Sequence, residues 1–347
     1  MSPPETFYLH SPDKNEVSPS PHCCKATGFT ILEVLVGTAI LMMLMVVLFG
    51  IFSGVSSAWK QSTQRIDSFQ SARVAFDRVT RMLSQATLNV YWDYDDPNKP
   101  SVYRRQSELA FAVLQTGSEG FSGAGTGHGV FFQVPIGKTE KTSGPDFRPL
   151  SQMLSSVGFS VRWVGDKDIR PPFITGPEKF RLRLMQYREL SENLSIFTDP
   201  NPAAGSPPAW IKTMSDPGKG SPLADNIIWM AIWPRRSVVE DPEGDDLTSD
   251  YTYNSRKGAK DIPQPVSANQ LPPAVQVTMI AIDEKTAARL PNGGMDTEIV
   301  DAYAGTLFST RDYQDDMNRI IDELNKEGIN FRIFTTTVLL RESRWSP

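Results

Sequence analysis

The stretch from Lys25 to Phe52 reads KATGFTILEVLVGTAILMMLMVVLFGIF, and its reading decides how the rest of the chain is built. Phe29 to Phe52 is a 24-residue run with one ionisable side chain, Glu33. As a helix rising 1.5 Å per residue it is about 36 Å long, against a bilayer hydrocarbon core of about 30 Å. A charge at the centre of such a helix costs on the order of 2.5–3.5 kcal/mol, and less near an end. A carboxylate kept there therefore implies a partner or a task. The run follows a polar stretch, residues 1–28, that contains proline and serine. Lys25 lies on one side of it and Lys60 and Arg65 on the other, so flanking charge leaves the orientation open.

Three readings compete. The first is a secretory signal peptide, with Ser56-Ser57-Ala58 as a small-residue cleavage site before Trp59. The apolar run is longer than the usual 7–15 residues of a signal core, and an acid inside it is unexpected. The second is a plain membrane anchor in which Glu33 has no role. In the third, Gly28-Phe29-Thr30-Ile31-Leu32-Glu33 is a processing site.

The segment GFTILEVLVG, Gly28 to Gly37, resembles the cleavage and methylation site of type IV pilins and type II secretion pseudopilins. The resemblance rests on a glycine before the cut, an aromatic after it, a glutamate four residues later and an uninterrupted apolar run. It implies cleavage between Gly28 and Phe29 by a prepilin peptidase, methylation of the new Phe29 amine, and pairing of Glu33 with the N-terminal amine of a neighbouring subunit during assembly. A carboxylate in lipid is tolerable when a cation comes to it. The leader, residues 1–28, is longer than many in that family and carries Glu5, Asp13 and Glu16 against Lys14 and Lys25.

The helical pattern continues beyond the apolar run. Val55 to Ala86 lacks proline, and Trp59, Ile66, Phe69, Phe76 and Leu83 recur at helical spacing, with Val55, Ala72 and Val79 near the same face. One helix is expected from Phe29 to about Ala86, with Gly50 and Gly54 as its weak point, since glycine costs up to about 1 kcal/mol per helical position. Lys60, Arg65, Arg73, Arg78 and Arg81 outnumber Asp67 and Asp77 and read as a solvated face.

From Thr87 the pattern changes to strands and loops. Strands are expected at 108–114, 129–134, 158–164, 180–187, 226–233, 275–282 and 331–340. In 275–282 the odd-numbered residues would share one face. Asp312 to Glu327 reads as an amphipathic helix with Met317, Ile320, Ile321 and Leu324 on one side and Gly328 as its C-terminal cap. Segments 198–225 and 234–273, rich in Pro, Gly, Ser and Asp, read as long loops. The expected organisation is a leader at 1–28, a transmembrane helix at 29–52, a helical spine at 53–86 and a strand-rich head at 87–347. The fold class is α+β, a long N-terminal transmembrane and spine helix packed on an antiparallel β-sheet head.

The segments YWDYDDPNKP (91–100), SELAF (107–111), HGVFFQVPIG (128–137), FRLRLMQYRE (180–189), YTYNSR (251–256) and LPPAVQVTMIAIDE (271–284) are similar to the Verru_Chthon cassette protein C family of prepilin-like proteins. More loosely, the chain resembles the J-type minor pseudopilins of type II secretion. The resemblance implies a pilin-like fold. Its implied partners are a prepilin peptidase and methyltransferase, other pilin-like subunits and inner-membrane lipid.

Composition excludes several chemistries. The 347 residues carry a net charge of −5, so nothing points to nucleic acid. Cys23 and Cys24 are the two cysteines, and His10, His22 and His128 the three histidines. A cut after residue 28 leaves no cysteine and one histidine, which removes the parts of a thiol site, a zinc site or a Ser-His-Asp triad. His128, between two glycines, reads as structural. The acidic run Glu240-Asp241-Pro242-Glu243-Gly244-Asp245-Asp246 and the trio Asp93, Asp95 and Asp96 have the chemistry of calcium ligands without the EF-hand pattern, and read as solvated loops. Gly123 to Gly127 lacks the lysine of a phosphate loop and reads as a turn. No catalytic residue, metal or cofactor is expected, and the chain is not expected to be an enzyme. The assembling subunit is the leading expectation, and a membrane-anchored extracytoplasmic binding module that does not assemble is the alternative.

Overall fold

A long helix, α1, runs Ile31–Leu83 and precedes a strand-rich region with three antiparallel sheets. The structure, a computed structural model, describes residues 28–96, 98–118, 121, 124–137, 153–198, 209–236, 239, 241–242, 247–248, 251–290 and 312–345. Strands β1 (Tyr91–Tyr94) and β2 (Tyr103–Gln106) form a hairpin. A six-stranded sheet has the order β7-β6-β5-β4-β3-β9. Its strands are β3 (Ala112–Gln115), β4 (Gly125–Pro135), β5 (Leu154–Gly165), β6 (Phe180–Glu189), β7 (Ser221–Asp225) and β9 (Tyr253–Asn254). A three-stranded sheet has the order β11-β10-β8, from β8 (Ile227–Arg235), β10 (Ala274–Ile282) and β11 (Phe331–Leu339). Among the described residues the remaining α-helices are α2 (Ala209–Met214), α3 (Glu284–Arg289) and α4 (Tyr313–Lys326). The class is α+β.

The chain divides into two units, residues 1–59 and 60–347. In the first, the large apolar side chains from Phe29 to Val55 are 51–84% exposed. Helix α1 passes through Gly50 and Gly54 without a break. Two glycines cost about 1 kcal/mol each, whereas a backbone hydrogen bond in an apolar medium is worth about 4–6 kcal/mol.

In the second unit, Ala72, Ala75, Phe76, Val79 and Leu83 of α1 are buried in the main core. The apolar seam starts later than the sequence suggests: Trp59 and Val55 are exposed, the side chain of Ile66 lies outside the described residues, and Phe69 is half-buried. The seam needs partners, and β11 supplies them. The Arg332 guanidinium sits 5.6 Å over the Phe69 ring, and the Phe334 ring is 5.8 Å from that of Phe76. Arg78, expected to be solvated, donates to Gln186 Oε1 on β6 at 3.1 Å.

Helix α4 covers the opposite face of the three-stranded sheet. Its Tyr313 ring stacks on Trp233 of β8, and its hydroxyl lies 2.6 Å from Thr278 Oγ1 of β10. Asp312 caps α4 by accepting from the backbone of Gln314 and Asp315, and Gly328 leaves it with φ of 63°. Strand β10 is therefore covered on both sides. Its burial does not alternate as 275–282 suggested, because the middle strand of a sandwiched sheet buries both faces.

All seven expected strands are present, with shifted ends. β3 begins at Ala112 rather than Glu108, because the backbones of Ala110 and Phe111 donate instead to the side chains of Gln133 and Ser255. The stretches expected as long loops hold elements of their own. Segment 198–225 includes α2 and β7, and 234–273 includes β9. Their apolar residues explain this. Trp210, Ile211 and Met214 of α2 close a second small core with Phe121, Phe131 and Tyr187.

The Leu83→Ala variant should lose about 2–5 kcal/mol of stability, since Leu83 is fully buried where α1 meets the main core. Denaturant unfolding of the full chain in detergent measures this. An unchanged midpoint would mean that α1 is not part of the head's core.

Candidate functional site

The expected processing motif stands at the start of α1. Gly28 and Phe29 precede the helix, and the Phe29 side chain is 84% exposed. The Thr30 carbonyl accepts from Val34 N, which makes Thr30 the N-cap. Glu33 Oε2 accepts from Thr30 N at 2.9 Å and from Thr30 Oγ1 at 3.0 Å, and Glu33 N donates back to Thr30 Oγ1 at 3.3 Å. This is a capping box, Thr-x-x-Glu, in which two otherwise orphaned amides are satisfied reciprocally. Glu33 thus has a partner within its own chain, and its carboxylate also lies in the first turn, where the helix dipole favours an anion. The spacing of Thr30 and Glu33 carried this signal. Reading Glu33 as an assembly residue alone missed it.

Ser56, Ser57 and Ala58, the alternative cleavage site, lie within α1, and Ser57 Oγ donates to the Gly54 carbonyl at 2.8 Å. Cys23, Cys24, His10, His22 and the leader up to residue 27 lie outside the described residues.

His128 is 2% exposed and sits where β4 meets β8. Its Nδ1 is 3.2 Å from both the N–H and the carbonyl of Ile232, and Thr126 Oγ1 donates to the Ile228 carbonyl at 2.6 Å. The glycine-rich turn expected at 123–127 becomes strand from Gly125, with a register shift between Thr126 and Val130. Gly127 has φ of 67°, and a Cβ there would lie 2.2 Å from the Met230 carbonyl oxygen. Glycine is what allows the strand to approach this closely. His128 therefore joins two sheets.

The aspartates of the hairpin loop do not converge, and no group of three or more metal-ligating side chains occurs among the described residues. Asp95 is engaged by its own loop. Its carboxylate accepts from Ser101 Oγ, from Ser101 N at 2.9 Å and from Val102 N at 3.1 Å. Those bonds, the Ser101 hydroxyl foremost, hold its pKa well below the usual carboxylate range. Of the acidic run, Glu240, Glu243, Asp245 and Asp246 lie outside the described residues, and Asp241 is buried.

One shallow groove, about 400 Å³, is lined by Ser71 of α1, Pro222 to Asp225 of β7, Asn226 and Glu284. Its carboxylates are already matched. Arg183 Nε donates to Asp225 at 2.8 Å, and Glu284 accepts from Arg181 and from Asn226, the latter at 2.9 Å. Burial works to raise the Glu284 pKa, and the bonds from Arg181 and Asn226 outweigh it, so the net direction is down. Arg105, which the sequence did not single out, anchors the hairpin by donating to the carbonyls of Pro265 and Val266. The polar clusters of the head serve to join its segments.

No family model, curated protein or solved structure matches the chain.

Two outcomes follow from these contacts. Thr30→Ala should raise amide exchange at the start of α1 by about fivefold, the usual effect of losing an N-cap; unchanged exchange in detergent would mean the capping box is not formed. Asp95 has a lowered folded-state pKa, so its contribution is present above the unfolded-state value of about 3.9 and is lost as pH falls through the folded value. The Ser101 and Val102 amides, corrected for intrinsic exchange, should lose protection in wild type below pH ~4. In Asp95→Asn that protection should already be reduced at neutral pH.

Proposed function

We propose that this chain is a pilin-like structural subunit, a minor pseudopilin of a type IV pilus or type II secretion-like system, with no enzymatic role. The observation that carries the reading is the motif Gly28-Phe29-Thr30-x-x-Glu33 at the head of an apolar helix whose large side chains are exposed among the described residues. One helix, within Ile31–Lys60, is long and apolar enough to cross a membrane. The same helix continues into the core of an antiparallel head, an arrangement that fits a pilin-like fold.

The mechanism is assembly. Prepilin peptidase cuts after Gly28, and the Phe29 amine is methylated. The chain enters the inner membrane once, with its N-terminus in the cytoplasm and the head in the periplasm. Apolar helices of neighbouring subunits then bundle through their exposed faces. Glu33 serves twice: it caps α1, and it meets the N-terminal cation of the adjacent subunit. Desolvating that carboxylate is tolerable because each of its oxygens can be satisfied, by Thr30 on one side and by the incoming amine on the other.

Mass spectrometry of the mature protein from its native membrane should find a chain starting at methylated Phe29. A start at Trp59 would mean a released protein, and an intact leader would leave an anchored binding module. Glu33→Gln keeps an acceptor for Thr30 and removes the charge. It should insert normally and lose at least tenfold in incorporation alongside other subunits; normal incorporation of this variant would sink the salt link.

A further inference from the structure

We infer that β11 is an interaction edge, at which a second copy of this chain adds its own β11 antiparallel. The inference does not rest on the assembly reading above. A strand edge carries a row of backbone donors and acceptors that another extended chain satisfies most fully, and folded proteins usually block such edges.

Three of the four edges of the two larger sheets are blocked. β7 is five residues long, contains Pro222 and meets β6 across a register shift. β9 is two residues long, and its Asn254 carbonyl already accepts from Lys257 N in the turn that follows. The free side of β8 is closed by Thr126 and His128 of β4. β11 is different. It pairs with β10 over nine consecutive residues with no shift, and the sequence FRIFTTTVL has neither proline nor lysine. Thr335, Thr336, Thr337 and Leu339 are exposed, and Leu339 reaches 70%. Among the described residues, β10 is the one strand that pairs with β11.

Charge and shape favour the same strand of a second copy. Arg332 is the single charge on β11. Full antiparallel overlap about Thr335 places Arg332 opposite Val338, so no like charges meet. It places Ile333 opposite Thr337, and Phe331 opposite Leu339, which covers the most exposed large apolar side chain on the strand. Directly opposed residues share a sheet face, so the α4-covered sides of both copies fall on one side of the joined six-stranded sheet.

Cysteine cross-linking tests the register in the full chain in its membrane, with Cys23 and Cys24 replaced by serine. Under mild oxidation Thr335→Cys should give at least tenfold more covalent dimer than Thr337→Cys alone. Chains carrying Ile333→Cys and Thr337→Cys, expressed together, should cross-link to each other. Thr335→Lys, which also gives up the 3.0 Å contact of Thr335 Oγ1 with Thr278 Oγ1, should lower the dimer fraction of the full chain in detergent at least tenfold while the monomer still unfolds cooperatively. Equal yields at all positions, cross-links to other proteins only, or a dimer that survives Thr335→Lys would each overturn the proposal.

Discussion

The backbone along the free side of β8 has to be satisfied in a dry interior, and the head is organised around how that is done. Unpaired amides and carbonyls there would cost about 1–3 kcal/mol each. The start of β4 answers them with side chains, Thr126 to the Ile228 carbonyl and His128 to the backbone of Ile232. Side chains can reach because Gly127 lets the strand bend in, with no Cβ to strike Met230. The six-stranded and three-stranded sheets are thereby held against each other, and Val130, Phe132, Met230 and Ile232 can share one core. A histidine flanked by glycines, a pattern that invites a catalytic reading, is a structural joint.

Helix α1 meets two different demands with one backbone. Its first part presents apolar side chains all round, exposed among the described residues. Its last turns present a seam of small and large residues, with Ala72 and Ala75 permitting close approach and Phe76 and Leu83 filling the core. Polarity along the helix changes accordingly, from a run with one acid to a stretch where Arg73, Asp77 and Arg81 are exposed. The capping box sits where the demand is greatest, since the first amides of a helix have no intrahelical acceptors. Thr30 and Glu33 supply them.

The head's polar residues are spent on joining segments. Arg181 and Glu284 tie β6 to α3, Arg183 and Asp225 tie β6 to β7, and Arg105 ties the hairpin to the 265–266 backbone. Asp95 closes its own loop. Among the described residues, the large apolar side chains of the first part of α1 are exposed, and β11 pairs on one side only.

The sequence by itself determined the elements whose signals are local. Residues 29–52 are apolar but for Glu33, the 3–4 spacing of Phe69, Ala72, Phe76, Val79 and Leu83 marks a buried helix face, and the six longest strands each contain a run of β-formers. The capping spacing of Thr30 and Glu33 was equally legible, because the two residues lie three positions apart. Tertiary structure alone decided the rest. It made His128 a joint between sheets, because its partner Ile232 is 104 residues away. It turned two proline-rich loops into carriers of α2, β7 and β9, because Trp210 and Tyr253 find their apolar partners only across the fold. It also set which strands lie at sheet edges among the described residues, since edge or centre is a property of the assembled sheet, and no strand's own residues fix how many neighbours it will have.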